Sequence, residues 1–260
     1  MAKRRNSARH HRRGRFVFLY KVLSTLVICG AIVAALTLFF RVDTVVAVGQ
    51  ERYSPQQVCD ASGVQTGDNL FLLNKYEVAR RISAALPYIE TEDIRIDRKL
   101  PDTLLIEVKE CAKPLALIQD GKAWLISTKG RIVECITPEQ ARSGYGIISG
   151  CRLLDPTVGE RMALATEYEA QQTSLLALMA ALESAGMLDQ TDGIRLDDLA
   201  TLYLDFAGRF TVKLPYGADY DFKLYALQSY LEKDVIQDNM TGTFDMQTEE
   251  ERTFFKPNVR

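Results

Sequence analysis

The sequence predicts an α+β protein with a single N-terminal transmembrane helix, a small β-α-α-β-β domain and a larger mixed β-rich domain with two helices. Three observations carry that class. Residues 22–40 are 19 consecutive positions without a charge. Beyond them, two short capped helical patterns lie between a β-branched run and a hairpin-like alternation. After residue 110, short strand-like runs dominate and two helical periodicities interrupt them.

The uncharged run is long enough to cross a membrane once, since a hydrocarbon core of ~30 Å needs about 20 helical residues at ~1.5 Å each. Its flank sets the expected orientation. Residues 1–15 hold Lys3, Arg4, Arg5, Arg9, Arg12, Arg13 and Arg15 and no acid, and a basic flank of this kind stays cytoplasmic. The formal charge of −2 hides the division: residues 1–41 carry nine of the 32 basic residues and none of the 34 acids, so residues 42–260 carry 23 basic residues against all 34 acids. A cleaved signal peptide competes with this reading, but its apolar region usually runs ~7–15 residues and no small-x-small cleavage site follows directly. A basic tail beside a membrane helix sets topology and meets anionic lipid rather than nucleic acid. The expected segments are a basic tail at 1–15, a membrane helix at 16–41, a first domain at 42–110, a β domain at 111–246 and a C-terminal edge strand and tail at 247–260.

Residues 42–48 are β-branched and end at Gly49, which predicts a strand. Ser54-Pro55-Gln56-Gln57 then supplies an N-cap, a proline at the first helical position and a Gln that reaches back to the cap, with Gly63 as the stop. Asn74 opens a second helix whose expected buried face is Tyr76, Ala79, Ile82 and Leu86, ended by Pro87. Ile94 and Ile96, then Leu104, Ile106 and Val108, alternate with charged residues around Lys99-Leu100-Pro101-Asp102, the mark of a hairpin with one wet face.

In the second domain residues 115–119 and 122–127 flank Asp120-Gly121, a dipeptide suited to the positive φ values of a tight hairpin turn. Residues 131–136 extend the meander. Leu164, Tyr168, Gln171, Leu175, Leu178 and Leu182 share one helical face, closed by Gly186. Strands are expected at 194–196, 202–206 and 210–214, the last two joined at Ala207-Gly208. A helix over 219–233 has Phe222, Ala226, Ser229 and Tyr230 near one face, and strands at 243–246 and 252–256 follow.

Catalytic chemistry finds little footing. Both histidines, His10 and His11, precede the membrane helix, which removes histidine-dependent nucleophiles and the commonest zinc sites from the rest of the chain. No G-x-S-x-G elbow or phosphate loop occurs. Asp197, Asp198, Asp205 and Glu249-Glu250-Glu251 leave a carboxylate-dependent cell-wall hydrolase as an alternative. Cys59, Cys111, Cys135 and Cys151 match no metal spacing, and sequence alone assigns them no disulfide pairs.

Val42 to Gly49, the helix at Ser54, Gly67-Asp68-Asn69-Leu70-Phe71, Pro87 and Arg98-Lys99-Leu100-Pro101-Asp102 through Val108 together resemble the polypeptide-transport-associated (POTRA) domain of the FtsQ/DivIB bacterial cell-division proteins. The likeness continues through Pro114, Trp124-Leu125-Ile126, Gly208-Arg209-Phe210-Thr211-Val212-Lys213-Leu214-Pro215 and Gly242-Thr243-Phe244-Asp245. Two departures are the missing Arg in Glu110-Cys111-Ala112-Lys113-Pro114, and Ser127 where an Asp is common. The resemblance implies a non-enzymatic divisome scaffold at the septum, without cofactor, metal or nucleic acid. Its implied partners are FtsL and FtsB/DivIC-type division proteins, and it would help recruit or regulate the septal peptidoglycan synthase complex. The segment matching the family's partner-binding edge is Arg252-Thr253-Phe254-Phe255-Lys256, whose competing reading is a final strand burying one of its own Phe rings. Another membrane-anchored POTRA adaptor is the alternative scaffold.

Overall fold

A computed structural model describes residues 11–232, 240–248 and 254–258. The chain divides into two compact units, Met1–Ala79 with Arg95–Val108, and Arg80–Ile94 with Lys109–Arg260.

Helix α1, His11–Phe39, contains a 21-residue stretch, Val17–Thr37, that is long and apolar enough to cross a membrane; it is the one such helix among the described residues. Strand β1 (Thr44–Val48), helices α2 (Pro55–Ser62) and α3 (Lys75–Ala85), and strands β2 (Ile89–Lys99) and β3 (Thr103–Glu110) follow in the expected order. Their sheet runs β1-β3-β2, with β1 parallel to β3. The α2 capping box forms in full: Ser54 Oγ accepts from the Gln57 amide at 3.2 Å and Gln57 Oε1 accepts from the Ser54 amide at 2.8 Å. At α3, Asn74 Oδ1 accepts from the Tyr76 amide. Ala79, Ile82 and Leu86 are buried as their spacing predicts, but Tyr76 is 66% exposed and Val78 is buried in its stead. Tyr76 lies in the first turn, where a side chain leans back toward the N-terminus and past the sheet.

The second unit holds β4 (Leu115–Gln119), β5 (Lys122–Ile126), β6 (Ile132–Ile136), α4 (Pro138–Gly144), β7 (Ile147–Ser149), α5 (Glu169–Ser184), β8 (Thr191–Arg195), β9 (Thr201–Phe206), β10 (Phe210–Pro215), α6 (Tyr220–Leu231), β11 (Gly242–Asp245) and β12 (Phe254–Pro257). One nine-stranded sheet orders them β12-β11-β10-β9-β8-β7-β4-β5-β6. The β4–β5 turn takes the positive φ pair expected of it, 51° at Asp120 and 74° at Gly121. One continuous core joins inward residues of the sheet, such as Leu117, Ile148, Ile194, Leu204, Val212 and Phe244, to Leu175, Leu178 and Leu182 of α5 and Leu224 and Leu227 of α6.

Three details differ from the pattern reading. Leu164 lies outside α5, in a bridge to Leu153. The buried face of α6 is Tyr220, Leu224 and Leu227, leaving Phe222 43% exposed. Helix α4 and strand β7 add to the expected elements.

Within this unit the Arg131 guanidinium gathers backbone from three places. It donates to Gly159 O (2.9 Å), Ile89 O (3.2 Å), Ser83 O (2.8 Å) and Ser83 Oγ (2.5 Å).

Candidate partner-binding edge

Strand β12 is the outermost strand of the large sheet and runs antiparallel to β11, with Phe254 opposite Asp245, Phe255 opposite Phe244, Lys256 opposite Thr243 and Pro257 opposite Gly242. One hydrogen bond fixes which groups point outward. The Asn258 amide donates to Thr241 O at 2.9 Å, so these two residues, next in register, form a hydrogen-bonded pair. Antiparallel pairs alternate between bonded and non-bonded, which places Lys256–Thr243 and Phe254–Asp245 in bonded pairs and Phe255–Phe244 and Pro257–Gly242 in non-bonded ones. The N–H and C=O of Phe255 therefore face away from β11, beside the C=O of Pro257, which has no N–H to offer. No described strand pairs with that side.

The side chains alternate as well. The Phe255 ring turns inward, 4.8 Å from Phe244 and 6.2 Å from Phe210 between centroids. Gly242 makes room for it: a Cβ there would stand 2.7 Å from Phe255 Cε2. Phe254 points to the opposite face and is 52% exposed, as is Lys256 in kind. The two rings thus divide between core and surface. Arg252 and Thr253, the other members of the expected edge, lie outside the described residues, as does Glu249-Glu250-Glu251.

Of the carboxylates considered for hydrolysis, Asp205 and Asp198 are engaged elsewhere. Asp205 Oδ2 accepts from Arg195 Nε at 2.9 Å and Asp205 Oδ1 accepts from Thr211 Oγ1 at 2.8 Å. Asp198 Oδ1 accepts from the Ala200 amide at 2.8 Å, closing a turn. Among the described residues no group of three or more His, Cys, Asp or Glu is placed to hold a metal ion. None of the five cysteines is in a disulfide. The Cys151 thiol is pushed up to about 12, first by burial and then by the charge of Asp197.

Residues 40–110 match the family model described as POTRA domain, FtsQ-type. The chain is 32% identical over 119 residues to the cell division protein DivIB of Clostridium botulinum strain Hall, covering 46% of this chain and 43% of that relative. It is 28% identical over 195 residues to the cell division protein FtsQ of Geotalea daltonii, covering 72% and 66%. FtsQ of Corynebacterium glutamicum is 26% identical over 117 residues, covering 45% and 51%. The matched region spans less than half the length of the DivIB relative.

A helix long and apolar enough to cross a membrane, an FtsQ-type POTRA domain and a β-rich unit whose outermost described strand is unpaired on one side define a POTRA-bearing protein with a candidate N-terminal membrane anchor. Over the matched residues the chain carries an FtsQ-type POTRA domain and is similar to bacterial cell-division proteins named DivIB and FtsQ.

Proposed function

We propose that this protein is a non-enzymatic scaffold of the division machinery. Its N-terminal helix crosses the cell membrane once, with the basic tail at 1–15 inside and residues 42–260 outside, and its exported part binds FtsL and FtsB/DivIC-type partners at the septum. Through them it helps recruit or regulate septal peptidoglycan synthesis. The expected division into a POTRA domain at 42–110, a β domain at 111–246 and an edge strand and tail at 247–260 belongs to the same reading.

The observation that carries this proposal is the outward Phe255 amide and carbonyl on an edge strand. An incoming extended segment gains affinity from such main-chain groups and specificity from alternate side chains. On β12 the side chains offered beside that ladder are Phe254 and Lys256, with Arg252 and Thr253 continuing the segment. The test is capture of a DivIC-like partner's exported segment by residues 42–260, with and without changes at positions 252–256. Normal capture by every variant removes this edge as the site.

A further inference from the structure

We propose that the Asn69-Leu70-Phe71-Leu72 turn is a lipid-contacting foot, which sets the first unit on the surface of the membrane that α1 crosses. The proposal rests on α1 being a membrane anchor.

A spanning helix leaves its last carbonyls without helical partners, and unsatisfied carbonyls near hydrocarbon are expensive. Two of those near the end of α1 are met by this turn. Asn69 Nδ2 donates to Leu36 O at 2.9 Å, and the Leu70 amide donates to Phe40 O at 2.9 Å. The same Asn69 side chain shapes the turn, its Oδ1 accepting from the amides of Phe71 (2.9 Å) and Leu72 (3.1 Å). Arg41 bridges Asn69, and the Phe71 ring meets Phe40 edge-on at 5.0 Å.

These bonds fix the depth of the turn. The apolar span Val17–Thr37 has 21 residues, or about 31 Å at ~1.5 Å each, which matches the ~30 Å core. Leu36 then falls at the border between hydrocarbon and headgroups, and Asn69 is held against it. Around that turn the structure exposes apolar side chains: Leu72 is 75% exposed, Phe39 78% and Phe71 42%. Aromatic and aliphatic side chains of this kind settle at the headgroup boundary. Cations stand beside them, with the Arg98 guanidinium 5.8 Å from the Phe71 ring and Lys75 in an exposed pair with Asp97. Their charge suits anionic headgroups.

The test uses full-length protein in vesicles of phosphatidylcholine and phosphatidylglycerol carrying bromines at shallow or deep acyl positions. Trp124, the single tryptophan, is first replaced by Phe. Tryptophan is then placed at Leu72, or at Val27 within the span. The Val27→Trp emission is expected to be quenched by deep bromines, and the Leu72→Trp emission by shallow ones. Quenching at Val27 with none at Leu72 overturns the foot and leaves the anchor standing. Loss of quenching at both positions overturns the anchor and the foot with it. Asn69→Ala added to Leu72→Trp is expected to lose shallow quenching while Val27→Trp keeps its deep quenching. Unchanged quenching at Leu72 in that variant overturns the pinning by Asn69.

Discussion

Phe255 closes over Phe244 at 4.8 Å between ring centroids, and its neighbour Phe254 turns away to lie 52% exposed. One residue of β12 holds the strand to the sheet and the next is presented beyond it. If the proposed edge is the recognition site, the division separates stability from recognition within two adjacent positions, and alanine substitutions should report it. Phe255→Ala is expected to lower stability by about 1–3 kcal/mol, less than the loss of a fully buried ring. Phe254→Ala is expected to shift the melting temperature little, within about 0.5 kcal/mol, while weakening partner capture. Thermal melts of residues 42–260 run beside a pull-down read both.

Proline separates the main chain from the ring. Phe255→Pro and Phe255→Ala both remove the aromatic contact, but only the proline also removes the outward N–H. Capture should therefore fall further in Phe255→Pro than in Phe255→Ala. Lys256→Pro removes an inward amide, one that bonds β11, and should loosen the strand itself, seen as faster amide exchange along β11. Equal capture by Phe255→Pro and Phe255→Ala would show that the partner does not use this amide.

Arg131 bonds three carbonyls and one hydroxyl within the second unit. Hydrogen bonds to a charged group contribute about 1.5–3 kcal/mol each, and stranding buried carbonyls adds a desolvation penalty. Arg131→Met keeps the aliphatic stem and should still lower stability by about 2–4 kcal/mol. Denaturant unfolding measures this; a loss below about 1 kcal/mol would mean that water replaces the guanidinium without difficulty.

Cys151 should resist alkylation in the folded protein. Thiolate is the reactive form, and a thiol pushed up to about 12 holds almost none of it near neutral pH. Iodoacetamide near pH ~8 is expected to label the exposed Cys135 first and Cys151 only after denaturant is added. The stability effect follows from the direction of the shift. An unfolded thiol ionises near ~8.5, while the folded one keeps its proton, so this contribution is complete below about pH 8.5 and declines as pH climbs toward 12. Peptide mapping by mass spectrometry and a pH series of melts check the two halves.

The proposed orientation is read with tags. Protease added to wall-stripped cells should digest residues beyond about 50 and spare an N-terminal tag. A protected C-terminal tag would reverse the assignment.

The chain discloses its fold unevenly, and the reasons are local. Ser54-Pro55-Gln56-Gln57 announces α2, and the structure forms both bonds of that box. Thr137-Pro138-Glu139-Gln140 carries the same signature and caps α4 in the same way. That helix is seven residues long with Ala141 as its buried residue, too short to show a period. Strand β7 has three residues flanked by parallel neighbours on both sides, so it lacks the alternation of a half-wet strand. In α6 the aromatic residues mislead, because Phe222 faces solvent while Leu224 and Leu227 fill the core. The edge itself was legible as a strand, but not which ring or which amide faces out. A two-residue period leaves both phases open until one cross-strand bond, from Asn258 to Thr241, selects between them.

Between the last residue of α1, Phe39, and the first of β1, Thr44, stand four residues, and every one is bonded to the folded unit. Phe40 accepts from Leu70, Arg41 bridges Asn69, Val42 exchanges bonds with Gly67 and Asp68, and the Asp43 amide donates to Asp102 O. A loose tether of that length would let its cargo roam ~14 Å in any direction. Here there is no slack to roam with. If α1 crosses the membrane as proposed, the first unit is carried at a set height by its own span, and a partner anchored in the same bilayer would find it by diffusing in two dimensions. The short search volume raises the effective concentration of each for the other, even where the contact between them is weak.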